Sequence, residues 1–155
     1  TAADADDLGV QLCDLDTVFR AGDFVSLHCP LTAETHHLVN AEKLAMMKSS
    51  AYLINTARGP VVDQAALYQA LVSGQIAGAG LDVLDPEPSA ADEPIARLDN
   101  VVLAPHALGW TDQMFAGMAA VNMAAIRAVA AGENPDFVVN KDVLTSAKFG
   151  AKLTR

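Results

Sequence analysis

The chain has 155 residues, 52% hydrophobic and 19% charged, with a formal net charge of −9. That length is enough for a domain with a real core, and the balance is globular, not disordered. The negative charge argues against nucleic acid or an anionic membrane surface as a partner. In chain order, Ala2–Leu8 reads as the end of a helix, with no basic or apolar leader and hence no signal peptide. Residues 10–13 read as a short strand, and Leu15–Ala21 as a short helix stopped by Gly22. Residues 24–29 read as a strand ended by Pro30. Asn40 can cap a helix running to about Met47. Residues 51–55 form the next strand, and Asp63 can cap a helix over 64–73 that ends at Gly74.

Residues 76–83 read as a strand rich in Gly and Ala, as suits close approach of helices. A proline-containing loop spans 85–99, and 101–104 is the last clear strand. Thr111 caps a long helix to about Ala131, with Met114, Met118, Val121, Ala125 and Val129 on one stripe, ended by Gly132. Asn122 and Arg127 within it argue for a soluble helix and not a membrane span. After Lys141 the chain reads as a loosely packed tail, with Lys148, Lys152 and Arg155 near its end. Strands that are near-continuous apolar runs, alternating with helices, imply a parallel sheet covered on both faces. No internal repeat appears.

Polar clusters close three of the apolar runs. They are Asn55-Thr56-Ala57-Arg58-Gly59, Gly80-Leu81-Asp82-Val83 through Glu87-Pro88, and Pro105-His106. Ligands of open α/β sheets bind just beyond the carboxyl ends of the strands. Arg58, Asp82, Glu87 and His106 are therefore expected to converge on one crevice, where a fixed cation, a carboxylate and a histidine can do acid/base work. Cys13 and Cys29 are not spaced as a metal site and read as two buried, reduced thiols, which points to the cytoplasm. His28 reads as structural or cleft-lining. His36 and His37 read as flanking a helix, with no companion suited to a metal. Gly78-Ala79-Gly80 lies in a strand interior and is no phosphate loop, and no Gly-x-Gly-x-x-Gly turn occurs. The chain thus reads as a doubly wound sheet without its first βαβ unit. Residues 1–144 would be the C-terminal half of a dinucleotide-binding domain, and 145–155 a tail.

Four ordered segments carry a family likeness. They are Ser26-Leu27-His28-Cys29-Pro30-Leu31-Thr32, Ile54-Asn55-Thr56-Ala57-Arg58-Gly59, Gly80-Leu81-Asp82-Val83 with Glu87-Pro88, and Ala104-Pro105-His106. Over about residues 5–144 the chain resembles the D-isomer-specific 2-hydroxyacid dehydrogenases. That resemblance implies a Rossmann-like fold, NAD or NADP as cofactor, and a small 2-keto or 2-hydroxy acid as substrate. It also implies a homodimer, common in the family through the cofactor domain. By motif, the family's catalytic Arg, Glu and His fall on Arg58, Glu87 and His106, and its carboxamide-binding Asp on Asp82. Cys29, Pro30, Thr56, Ala57 and Gly109 resemble cofactor-lining positions, with Arg58 and His106 beside them. No metal is implied.

The chemistry expected of each residue follows. His106, with an ordinary pKa of about 6.5, suits proton transfer to a carbonyl oxygen near neutrality. Glu87 would favour its imidazolium and fix its tautomer. Arg58 offers a fork that matches a carboxylate. Formate dehydrogenases resemble the chain but carry Gln where Glu87 stands, so Glu87 favours carbonyl chemistry. Phosphite dehydrogenase shares the Arg, Glu and His set and is a minor alternative. An inactive truncated form, or an NAD-sensitive binding protein like the C-terminal-binding-protein corepressors, is the reading from another class. Trp110 could line the pocket or pack at a helix start.

Overall fold

The apolar runs separated by capped helical segments fold in the order in which they are read. The computed structural model describes residues 2–147, 149 and 150. It divides into two units, Thr1–Leu108 and Gly109–Arg155. The first unit carries α1 (Ala2–Leu8), α2 (Leu15–Ala21), β1 (Phe24–Leu27), α3 (Ala41–Met46), β2 (Tyr52–Asn55), α4 (Gln64–Val72), β3 (Gly78–Leu81) and β4 (Val101–Leu103). The strands form one parallel sheet in the order β1-β2-β3-β4. Leu27, Asn55, Leu81 and Leu103 stand in register across it. The residues that follow each strand therefore emerge along one carboxyl edge.

Three helices begin on side-chain caps in this unit. Asp14 accepts the Thr17 amide, Asn40 that of Lys43, and Asp63 that of Ala66. Each cap satisfies an amide that the first helical turn leaves without a partner. The amide and hydroxyl of Thr17 hold the Asp14 carboxyl below the usual carboxylate range. Lys43 of α3 donates to Asp16 of α2, and that hydrogen bond depresses the Asp16 carboxyl as well. The hydroxyl of Thr32 does the same to Glu34.

The core lies on one face of the sheet. Val25, Leu53 and Ala79 stand in register there and pack with Phe19 of α2, Leu44 of α3, and Leu67 and Leu71 of α4. Full burial of such a side chain contributes roughly 1.5–3 kcal/mol. The opposite face is open. Phe24 is 71% exposed, Tyr52 40% and Val102 77%, and the Phe24 and Tyr52 rings stack at 5.5 Å. The parallel sheet is as expected, but its cover within this unit is one-sided. Along β1, burial alternates residue by residue instead of running through.

Other local expectations need correction. Residues 10–13 are not a strand, and Val10, Leu12 and Cys13 are exposed. Those apolar residues have no ladder partner among the described residues, so short hydrophobic content alone did not make a strand. Cys13 is thus not a buried thiol, and Cys29 is only half-buried. The small residues of β3 do not serve helix approach alone. A Cβ at Gly78 would strike the Asn100 carbonyl and the Tyr52 ring, whereas Ala79 faces the helices.

In the second unit, α5 (Asp112–Ala130) starts on Thr111, whose hydroxyl accepts the Met114 amide. Of its apolar stripe, Met114 and Ala125 are half-buried, and Met118, Val121 and Val129 are exposed. By length and composition alone this helix could cross a membrane, with a mean hydropathy of 1.2. A short 3-10 turn at Lys141–Thr145 follows. Lys148, Lys152 and Arg155 of the expected tail lie outside the described residues.

Candidate active site

Asn55 ends β2 as a fully buried polar side chain and builds the turn that presents Arg58. Its Oδ1 accepts the Ala57 amide at 3.0 Å, and its Nδ2 donates to the Arg58 carbonyl at 3.0 Å. A buried amide bonded at both ends fixes a turn, because leaving either end unpaired costs about 1–3 kcal/mol. The Arg58 side chain is exposed, and its Nη1 donates to the Ala57 carbonyl at 2.6 Å. Gly59 lets this turn press on the chain after β3, because a Cβ there would lie 1.9 Å from the Leu84 carbonyl oxygen.

Asp82, the residue just past β3, is buried and supports the histidine loop. Its Oδ1 accepts the Ala107 amide at 2.9 Å, and both its oxygens approach the Leu108 amide, at 3.4 and 3.3 Å. The residue before those amides, His106, has φ +55, in the left-handed region that non-glycine residues enter at a cost. The Asp82 carboxylate thus holds the chain that follows a strained residue. Strain of this kind concentrates at functional positions and persists where the surroundings over-determine it.

Glu87 joins the loop after β3 to the end of β4. Its Oε2 lies 2.9 Å from His106 Nδ1, and its Oε1 accepts the Leu84 amide at 3.1 Å. A carboxylate only accepts, so Nδ1 carries the proton in this pair, and Nε2 is left for another partner. The peptide bonds Asp85–Pro86 and Glu87–Pro88 are cis.

The expected residues gather at the carboxyl edge in two clefts of the first unit. Asp82, Glu87 and His106 line one of about 540 Å³, with Leu84 and Pro105. Cys29, Pro30, Thr56, Ala57 and Arg58 line the other, of about 600 Å³, with His28. Arg58 thus lies with the expected cofactor-lining residues and not with the Glu87–His106 pair. His28 lines the second cleft and its Nε2 pairs with Ser26 Oγ at 2.8 Å, which unites the structural and lining readings. The His36 and His37 rings stack at 4.0 Å. Gly109 and Trp110 belong to the second unit, where Trp110 meets the edge of Phe115 at 6.0 Å. Sequence reasoning named Asn55 and Gly59 only as members of the cluster around Arg58, gave them no supporting role, and did not single out Gln64. The Asn at a strand end two residues before an amide it can cap was the available signal for the first.

A parallel sheet with a cation, a carboxylate and a carboxylate-paired histidine along its carboxyl edge defines a Rossmann-like α/β protein. Residues 1–107 match the model of the D-isomer specific 2-hydroxyacid dehydrogenase, NAD binding domain. The chain belongs to that family. A glyoxylate reductase of Thermofilum pendens is 51% identical over 135 residues, covering 87% of this chain and 40% of that protein. The D-isomer specific 2-hydroxyacid dehydrogenase of Lactobacillus delbrueckii ssp. bulgaricus, solved with NAD, superposes with a TM-score of 0.79 at 38% identity. That likeness covers 86% of this chain and 44% of the other. The dehydrogenase of Xanthobacter autotrophicus Py2, solved with NADPH and MES, is 42% identical with a TM-score of 0.66, covering 81% and 50%. The chain therefore spans about two-fifths to one half of these relatives.

Proposed function

We propose that this chain supplies the proton-transfer residues of an NAD(P)-dependent oxidoreductase that interconverts a 2-keto acid and a D-2-hydroxy acid. The observation that carries this reading is the 2.9 Å pairing of Glu87 with His106 Nδ1 at the sheet's carboxyl edge. With that nitrogen committed, His106 Nε2 gives a proton to the carbonyl oxygen in reduction and takes it back in oxidation. Glu87 stabilises the imidazolium and keeps the ring turned toward the cleft. Arg58, exposed on its Asn55-braced turn, grips the substrate carboxylate through its planar fork. A substrate bound across both clefts brings its C2 oxygen to this charge as well as to His106, and the charge stabilises the oxyanion that develops there.

The residues fit a dinucleotide. Cys29, Pro30 and Ala57 give the second cleft an apolar wall for a ring, and the exposed Thr56 gives it a hydroxyl. Asp82 is buried and lines the first cleft, and its two oxygens keep lone pairs beyond those used by Ala107 and Leu108, enough to accept from a carboxamide. When bound, the nicotinamide supplies or accepts the hydride. NAD and NADP are both within the proposal, as is a homodimer. A cytoplasmic setting agrees with two free cysteines. The charge of Arg127 within α5 favours a helix packed on protein over one in lipid.

The test is oxidation of NADH and NADPH by the full-length protein with glyoxylate, hydroxypyruvate and pyruvate. Saturable turnover with one of these acids and a D-configured product is expected. Binding of the dinucleotide with no turnover of any 2-keto acid would contradict the reading and leave a binding protein.

A further inference from the structure

The loop that offers Glu87 to His106 has a hold outside the pair. Gln64, the first residue of α4, reaches across to the amide of Asp85, which donates to Gln64 Oε1 at 2.9 Å. Asp85 lies inside the turn that Glu87 closes on the Leu84 amide. The base from which Gln64 reaches is fixed. Val61 and Val62 just before it are buried, Val39 donates to the Val61 carbonyl, and the Asp63 amide donates to the Val39 carbonyl. From the other side the Leu84 carbonyl lies against Gly59, where a Cβ would not fit. The loop is thus anchored at one amide by α4 and packed at one carbonyl against the Arg58 turn, and Glu87 reaches out from between those contacts.

We propose that Gln64 is a positioning residue for proton transfer, acting through Glu87 by anchoring the Asp85 amide. The inference rests on the reading of Glu87 and His106 as the proton-transfer pair. Gln64 touches neither His106 nor the substrate in this role. Releasing the Asp85 amide lets the turn shift, Glu87 Oε2 withdraws from Nδ1, and the imidazole is free to change tautomer. A shift of about 1 Å in a supporting shell is enough to weaken a catalytic arrangement strongly.

The test reads the histidine ring directly, with no need for turnover. Long-range proton–nitrogen correlation spectra of the ¹⁵N-labelled chain report which nitrogen of His106 is protonated. The unaltered protein is expected to give the Nδ1–H pattern, and Glu87→Leu is expected to lose it. Gln64→Met, equal in length but without a strong acceptor, is expected to lose it too. Gln64→Glu keeps an acceptor oxygen at the same reach and is expected to retain it. In the Glu87→Leu background, Gln64→Met should change nothing further. A folded Gln64→Met protein with an intact Nδ1–H pattern would overturn the role of Gln64 while leaving the pair standing. An unchanged pattern in Glu87→Leu would overturn the pair itself, and the inference with it. Should Gln64→Met not fold, hydrogen exchange of the Asp85 amide in the unaltered protein decides the matter. Protection supports the anchor, and exchange at the rate of an open loop overturns it.

Discussion

Glu87 and His106 are joined by one carboxylate oxygen while the other oxygen of Glu87 holds the Leu84 amide. Both contacts need an acceptor, and a glutamine has only one acceptor oxygen. Glu87→Gln can keep both contacts only by donating its NH2 to Nδ1, which forces the other tautomer and removes the charge that favours the imidazolium. The lost charge-assisted bond is worth about 1.5–3 kcal/mol when shielded, and less in a pair this exposed. A fall in kcat/KM of up to about tenfold is expected in steady-state assays, with dinucleotide affinity preserved. An unaltered kcat/KM would remove Glu87 from the proton-transfer pair.

Asp82 braces the chain after His106 by accepting the Ala107 and Leu108 amides. Asp82→Ala leaves those amides without their acceptor and lets the left-handed conformation at His106 relax. Denaturant unfolding should show a loss of about 1–3 kcal/mol, and Asp82→Asn, which keeps one acceptor oxygen, should lose less. Equal losses in the two variants would mean that packing, and not the hydrogen bonds, is what Asp82 supplies.

The close approach at Gly59 makes a sharp demand. An added methyl would sit 1.9 Å from the Leu84 carbonyl oxygen, and both partners are backbone. Gly59→Ala is expected to cost on the order of 3 kcal/mol, as overpacking of a rigid contact does. It should also disturb both the Arg58 turn and the Glu87 loop. Thermal unfolding of the variant checks the first expectation. A melting temperature unchanged from the parent would show that the two segments can part without cost.

Stability in acid has a definite sign. Lys43 holds the Asp16 carboxyl below the ordinary aspartate value of about 3.9. The unfolded chain therefore binds that proton first as pH falls, and the contribution of the Asp16 carboxylate is present in full above about pH 5. It is lost as pH drops below about 4 through the lowered folded value. The stability gap between the parent and Asp16→Asn should be constant near neutrality and close in that acid range. A gap that persists unchanged to the lowest pH would mean that the Lys43–Asp16 pairing has no linkage to folding.

The sequence made the elements legible where local chemistry decides them. Asn40, Asp63 and Thr111 each cap the helix expected of them, because an N-cap acts within its own turn. The apolar runs at β1, β2, β3 and β4 likewise became the strands, shorter by a residue or two at their ends. Residues 10–13 failed because a strand needs a neighbour, which composition does not reveal. The four motif residues were visible as polar clusters after apolar runs, but their distribution over two clefts was not. That depends on register, which places Asn55 beside Leu27 and Leu81 and sends each following loop its own way. The supports were hidden for a related reason. The contact of Gln64 with Asp85 spans 21 residues, and the contact of Gly59 with Leu84 is a matter of backbone shape. Neither leaves a pattern in the order of side chains.

The most direct measurement is the effect of His106→Gln on reduction of glyoxylate and hydroxypyruvate by NADH, with NADH affinity measured on the same protein. General acid–base catalysis contributes about 10²- to 10⁴-fold. A loss of that size in kcat with NADH affinity nearly unchanged is the result expected if His106 transfers the proton. A variant that turns over at the parent rate would contradict the account at its centre.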